Sequence, residues 1–162
     1  MSTSADRIRI ESRTFDHPDA QALIERIQKY YVDLYAGRDD DSTEAAEFAG
    51  REGTFLVAYL DNTAVGCGGW RRRGPGTVEI KRMYVIETAR GAGVARAILR
   101  ELERTARESG ARRVTLNTGF RQPEAIAFYR AAGYRHTDER FGHYAGIEGA
   151  YFFEKHFDLK GM

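Results

Sequence analysis

The chain has 162 residues, 42% of them hydrophobic, and 25 basic against 24 acidic side chains leave a net charge of +1. That length suits one domain with one sizeable core, and no run nears the roughly 20 apolar residues that span a bilayer. The charge balance argues against a dedicated nucleic-acid binder, which carries a strong basic excess. A single cysteine, Cys67, cannot form an internal disulfide, and the first residues lack the basic start and apolar stretch of a signal peptide, so a reducing, cytoplasmic setting is the expectation. Among the basic residues only Lys29, Lys81, Lys155 and Lys160 are lysines. The arginine excess reads either as a phosphate-facing surface or as a compositional bias.

In chain order, 7–11 alternates as a short strand, with Ile8 and Ile10 on one side. Pro18 suits a first helical position, and Ala20, Leu23, Ile24, Ile27, Tyr31 and Leu34 then recur at helical spacing towards Gly37. A charged loop over 38–42 and a short helix over 44–48 follow. Residues 54–60 read as a strand, Asp61-Asn62-Thr63 as a turn, and 64–70 as the hairpin partner. The arginine- and glycine-bearing stretch 71–76 reads as a second turn, and 77–85 as a strand. The clearest helix is 92–109, where Ala95, Ile98, Leu99, Leu102 and Ala106 form one stripe and Gly110 stops it. A strand at 114–117, a helix at 123–132 stopped by Gly133, and closing strands from 134 onward and over 150–157 complete the order. No repeat or linker interrupts it, so 1–162 is expected to be one α+β domain.

Chemistry concentrates in 79–95. A strand ends at Val85, and Arg90-Gly91-Ala92-Gly93-Val94-Ala95 leads into the long helix. The first amides of a helix lack internal partners, the helix dipole adds positive charge, and glycines let an anion approach. The hexapeptide thus reads as a phosphate cradle with Arg90 adding a full charge, or as an ordinary strand–helix turn. A dinucleotide fold fits poorly: the glycines follow an antiparallel meander and the third glycine is absent.

Arg90-x-x-Gly93-x-Ala95, followed after one helix and one strand by Ala125-x-x-Phe128-Tyr129-x-x-x-Gly133-Tyr134, resembles the two signatures of the GNAT superfamily of N-acetyltransferases. The resemblance is sharp over 77–134. It implies a mostly antiparallel sheet, splayed in the middle near Val85 and Asn117 and flanked by helices. It also implies acetyl-CoA as co-substrate, with the pantetheine arm lying in the gap and pairing with strand backbone around Met83, Tyr84 and Val85. Its phosphates would sit on Arg90, Gly91, Ala92, Gly93, Val94 and Ala95. Asn117, Gln122, Ala125 and Tyr129 would line the arm. The family often has asparagine three residues before the alanine, and this chain has Gln122, an amide of longer reach.

An aliphatic amine with pKa near 10.4 reaches its neutral, nucleophilic form at pH 7 at a cost of about 4.6 kcal/mol, so a base must accept its proton. Glu79 stands six residues before Val85, where some histone-modifying relatives carry a general-base glutamate, and on an extended strand it shares a face with Met83 and Val85. The alternative is a salt-bridged strand residue. Tyr129 holds the family's position for a general acid that protonates the leaving thiolate, or is a half-buried helix aromatic. An oxyanion hole from a strand amide is expected near Met83.

Tyr30, Tyr31 and Tyr35 could line an acceptor cleft or pack the core. Asp39-Asp40-Asp41 reads as a solvated loop or a lure for cations, and Arg71-Arg72-Arg73 as a solvated turn or an acid-binding patch. His17, His136, His143 and His156 lack metal-ligand spacing, so no metal is expected. Cys67 reads as a small buried hydrophobe. The expected acceptor is a primary amine of a small molecule or peptide, with a homodimer possible and neither nucleic acid nor membrane as partner. Alternatives are another acyl donor, an oxygen acceptor, or a catalytically weak acyl-CoA-binding sensor of the same fold.

Overall fold

A computed structural model describes residues 7–35, 43–119, 122–140, 144–146 and 149–157. The apolar alternation near the start becomes β1 (Ile8–Ser12), and Pro18 opens α1 (Pro18–Tyr35). The backbone N–H of Asp19 donates to His17 Nδ1 at 3.0 Å, so His17 satisfies one of the helix's orphan amides. A 3₁₀ turn at Ala45–Phe48 precedes the hairpin β2 (Gly53–Leu60) and β3 (Thr63–Gly74). Asp61 and Asn62 adopt φ of 49° and 70° there, the left-handed pair that a two-residue hairpin turn needs. Then come β4 (Thr77–Val85), α2 (Val94–Glu108), β5 (Arg113–Gly119), α3 (Pro123–Ala131), β6 (Arg135–His136) and β7 (Ala150–His156).

The second turn is shorter than the sequence suggested. β3 runs through Arg71, Arg72 and Arg73, and Arg71 is only 2% exposed. The reason lies across the ladder: Arg71 stands opposite Glu79, and the carboxylate neutralises the buried guanidinium. The long helix also starts at Val94 and not at 92, because Gly93 caps it with φ 87°.

The seven strands run in the order β1-β2-β3-β4-β5-β7-β6. All neighbours are antiparallel except β4 and β5, which pair in parallel over Thr77↔Arg113, Val78↔Val114 and Glu79↔Thr115 alone. Beyond Glu79 and Thr115 the two strands continue to Val85 and Gly119 without pairing. The sheet is therefore split in its middle, as the family resemblance implies.

Two packed layers hold this shape. On one face lies α2, whose apolar stripe (Val94, Ile98, Leu99, Leu102, Ala106) is buried. Trp70 of β3 points at it and donates from Nε1 to Thr105 Oγ1 at 2.9 Å. On the other face Phe15, Phe48 and Phe55 form a stacked and edge-on cluster. Glu79 and Arg71, one residue out of phase with Trp70 and Ile80, look to this second face. Gly69 looks the same way, where a Cβ would press into Phe55 and Phe48.

Candidate active site

β4 carries an irregularity just before its free end. Tyr84 pairs with Cys67 and Lys81 with Gly69, so Arg82 and Met83 together face the single residue Gly68. This is a β-bulge, and Arg82 takes φ 60°, a conformation disfavoured for a side-chain-bearing residue. Strain of this kind concentrates where backbone groups must be re-aimed. Met83, Tyr84 and Val85 then follow along the split, where Tyr84 and Val85 pair with Cys67 and Gly66 of β3 and the stretch has no partner in β5.

Past β4 the chain turns through Arg90-Gly91-Ala92-Gly93 into α2. Gly91 and Gly93 have φ of 85° and 87°, and a Cβ on either would meet nothing within 4 Å. The glycines are needed for backbone conformation and leave open space before the helix. The Arg90 Nε donates to Val85 O at 3.2 Å, which holds its guanidinium against the end of β4. On the far side, Pro123 starts α3 after Gln122, its N-cap residue.

These parts enclose one cleft of about 720 Å³, a usual size for a small-molecule site. Its walls include Met83, Tyr84 and Val85 of β4, and Arg90, Gly91, Gly93, Val94 and Ala95 at the head of α2. Gln122, Ala125 and Tyr129 come from α3. The structure thus brings together most of the residues expected from sequence. Ala92 and Asn117 are not part of this wall; Asn117 pairs with Phe152 of β7. Asp39, Asp40, Asp41 and His143 lie outside the described residues.

The sequence reading missed Arg96, Glu124 and Phe128, which also line the cleft. Arg96 stands three residues past Gly93 in the first helical turn, so its spacing could have revealed it. Of the α1 tyrosines, Tyr30 lines the cleft. Tyr35 reaches the α3 N-cap, where its Oη accepts from Gln122 Nε2 at 3.0 Å.

Glu79 stands apart from the cleft wall. It is 1% exposed, and its Oε1 accepts from Arg71 Nε at 3.0 Å and Arg73 Nε at 2.9 Å. Arg71 Nη1 also donates to Glu47 Oε2 at 3.2 Å. Arg71 is thus a buried structural cation and not a solvated turn residue.

Tyr129 is 6% exposed, packed edge-on between Phe128 and Tyr134. Burial raises its phenol above the usual tyrosine range, so the hydroxyl holds its proton. Tyr134 is raised as well, first by burial and then by the Glu103 carboxylate, to which its Oη donates at 2.9 Å. Lys155 Nζ donates to Glu103 Oε1 at 3.0 Å and to Ala132 O at 2.8 Å. This clamp ties the end of α3 to α2 and β7, beneath Tyr129. Cys67, fully buried, donates from Sγ to Arg82 O at 3.2 Å and belongs to the core. Among the described residues no group of three or more His, Cys, Asp or Glu is placed to hold a metal ion.

A split mixed sheet, a glycine-led helix at the split and an aromatic second helix define an acyl-CoA-type transferase. The family model described as "Acetyltransferase (GNAT) family" matches residues 20–134, and the chain belongs to that family. It is therefore an acyltransferase. It is 36% identical over 134 residues to the "IAA acetyltransferase" of Azospirillum brasilense, covering 82% of this chain and 87% of that protein. A GNAT-family acetyltransferase structure from Staphylococcus aureus aligns at TM-score 0.77 and 19% identity, over 93% of this chain and 99% of that one. The PaiA N-acetyltransferase of Thermoplasma acidophilum, solved in complex with coenzyme A, aligns at TM-score 0.70 and 18% identity, over 92% and 99%. These two likenesses concern the fold. No described helix is long and apolar enough to cross a membrane.

Proposed function

We propose that residues 1–162 act as one N-acetyltransferase domain that moves the acetyl group of acetyl-CoA directly to a primary amine of a small molecule or peptide. One observation carries this: the β4–β5 ladder stops after Glu79 and Thr115, and the opened strand end, the head of α2 and Tyr129 all face the same cleft.

The residues fit the co-substrate. Free first-turn amides of α2 with Arg90 and Arg96 match its phosphates. The stretch of β4 from Met83 to Val85, which has no β5 partner, matches the amides of a pantetheine arm, which would lie there as an added strand. When bound, acetyl-CoA supplies an activated thioester carbonyl. The bulge at Arg82 favours a backbone N–H near Met83 as the donor to that carbonyl oxygen. Tyr129 Oη holds a proton at neutral pH and passes it to the sulfur as the carbon–sulfur bond breaks. Glu79 remains our candidate for removing the amine proton. Enclosed by Arg71 and Arg73 and set apart from the cleft wall, it would act through intervening water.

The test is turnover. Purified protein is mixed with acetyl-CoA and a panel of amines and amino-terminated peptides, together with IAA, the compound in the name of the Azospirillum brasilense relative. Thiol release and acetylated products are followed by mass spectrometry. Acetylated amine that depends on the protein supports the reading. Tight binding of acetyl-CoA without turnover of any acceptor would replace it with a sensor of the same fold.

A further inference from the structure

The side-chain amide of Gln122 is bound to a residue 87 positions away in the chain. Gln122 Nε2 donates to Tyr35 Oη at 3.0 Å. Gln122 is the N-cap residue of α3 and part of the cleft wall, whereas Tyr35 is the last residue of α1. The same hydroxyl sits against Gly119, the last residue of β5, so closely that an added Cβ would collide with it. Gly119 has no unusual φ to explain its identity; the close approach of the phenol does. Three features thus meet at one point: the N-cap glutamine of α3, a glycine at the strand end, and a tyrosine on a distant helix. Tyr31 and Tyr35 have ring centroids 6.2 Å apart, and Tyr30, next to Tyr31 in the chain, lines the cleft itself. The end of α1 is therefore seated on the β5–α3 junction, on the opposite side of the sheet from α2.

We propose that Tyr35 is a positioning residue for the pantetheine arm, acting through Gln122. With Nε2 given to the tyrosine, the glutamine keeps Oε1 as an acceptor for an amide N–H in the cleft. The extra methylene lets the side chain span from the cleft to α1, a reach that asparagine lacks. The latch ties α1 to the arm-binding end of the cleft and leaves the phosphate end, built by α2, untouched. The proposal rests on the cleft being the acetyl-CoA site.

Two ligands separate the ends. Acetyl-CoA carries phosphates and arm, whereas adenosine 3′,5′-bisphosphate carries phosphates alone. Calorimetry with each is run on the wild type, Tyr35→Phe, Gln122→Asn and the double variant, with folding checked by circular dichroism. Each single change should weaken acetyl-CoA binding about fivefold to tenfold, the effect of one lost hydrogen bond, and leave the bisphosphate unchanged. The double variant should be no more than about twofold weaker than either single one, because both remove the same latch. Gly119→Ala, which displaces the phenol, should repeat the pattern. Equal losses for both ligands would make Tyr35 merely structural. Multiplying single effects, or no effect, would remove the latch. A wild type that binds neither ligand would overturn the cofactor reading itself, and the latch with it.

Discussion

Arg71 Nε lies 3.0 Å from Glu79 Oε1, directly across the β3–β4 ladder, with the two residues 2% and 1% exposed. Removing one partner of a buried ion pair leaves the other uncompensated, a loss of about 3–5 kcal/mol. Glu79→Gln should therefore lower the urea midpoint strongly, with Glu47 and Arg73 softening the loss. The same variant tests the base role. If Glu79 receives the amine proton through water, the folded variant transfers acetyl more slowly and the rising limb of its pH–rate profile changes. An unchanged profile in the folded fraction would make the pair structural alone.

What the sequence made legible was local. The helix stripe of α2, the Asp61-Asn62 turn and the two spaced signatures each follow from neighbours within one or two turns of chain. The split sheet came from the resemblance, and its observed end at Glu79 and Thr115 agrees. What stayed hidden depended on distant partners. A run of three arginines beside glycines looks solvated until Glu79 is seen opposite, and Gln122 gives no sign of Tyr35. The clamp of Glu103, Tyr134 and Lys155 joins three elements in the same hidden way.

That clamp predicts a stability effect with a small functional cost. Tyr134→Phe removes a hydrogen bond to a carboxylate and keeps the ring against Tyr129. Hydrogen bonds to charged groups contribute about 1.5–3 kcal/mol. Chemical denaturation should show a loss in that range, while acetyl-CoA affinity stays near wild type. A variant as stable as wild type would show that Lys155 alone satisfies Glu103.

At the head of α2, Gly93→Ala and Gly93→Asp should differ. Open space surrounds the added Cβ, so neither change clashes; both pay the backbone cost of φ 87°, roughly 1–2 kcal/mol. Aspartate adds an anion where phosphates are expected. The alanine variant should lose stability and bind acetyl-CoA only slightly less well, whereas the aspartate variant should lose at least about tenfold, or 1.4 kcal/mol, in affinity. Equal affinities for the two folded variants would argue against a phosphate site here.

Cys67 offers a probe of the bulge. Burial pushes its thiol up to about 12 from 9.0. The native state favours the protonated form, so its stabilising contribution is complete below pH 9 and is lost as pH rises towards 12. The slope is at most about 1.4 kcal/mol per pH unit. Cys67→Ala should flatten the fall of stability with pH in that window. A thiol reagent at pH 8 should react with the native chain only as fast as the core opens. Immediate labelling of folded protein would contradict the burial.

Tyr129→Phe is the sharpest test of the chemistry. The hydroxyl makes no hydrogen bond among the described residues, and the ring packs against Phe128 and Tyr134. Deleting it should leave stability within about 0.5 kcal/mol. Acetyl-CoA affinity should also hold, since the proposed contacts of the arm are with strand backbone. The rate of transfer should fall by about 10²–10⁴-fold if the phenol protonates the leaving sulfur. Because burial raises the phenol above its ordinary value of 10.0, the wild-type rate should show no falling limb from Tyr129 below pH 10. A donor whose thiol is more acidic needs less help in leaving, so it should restore part of the variant's rate while changing the wild type less. Single-turnover measurements with both donors separate this from substrate binding and product release. If the folded variant transfers acetyl at the wild-type rate with either donor, the phenol is a packing residue and the sulfur leaves without it.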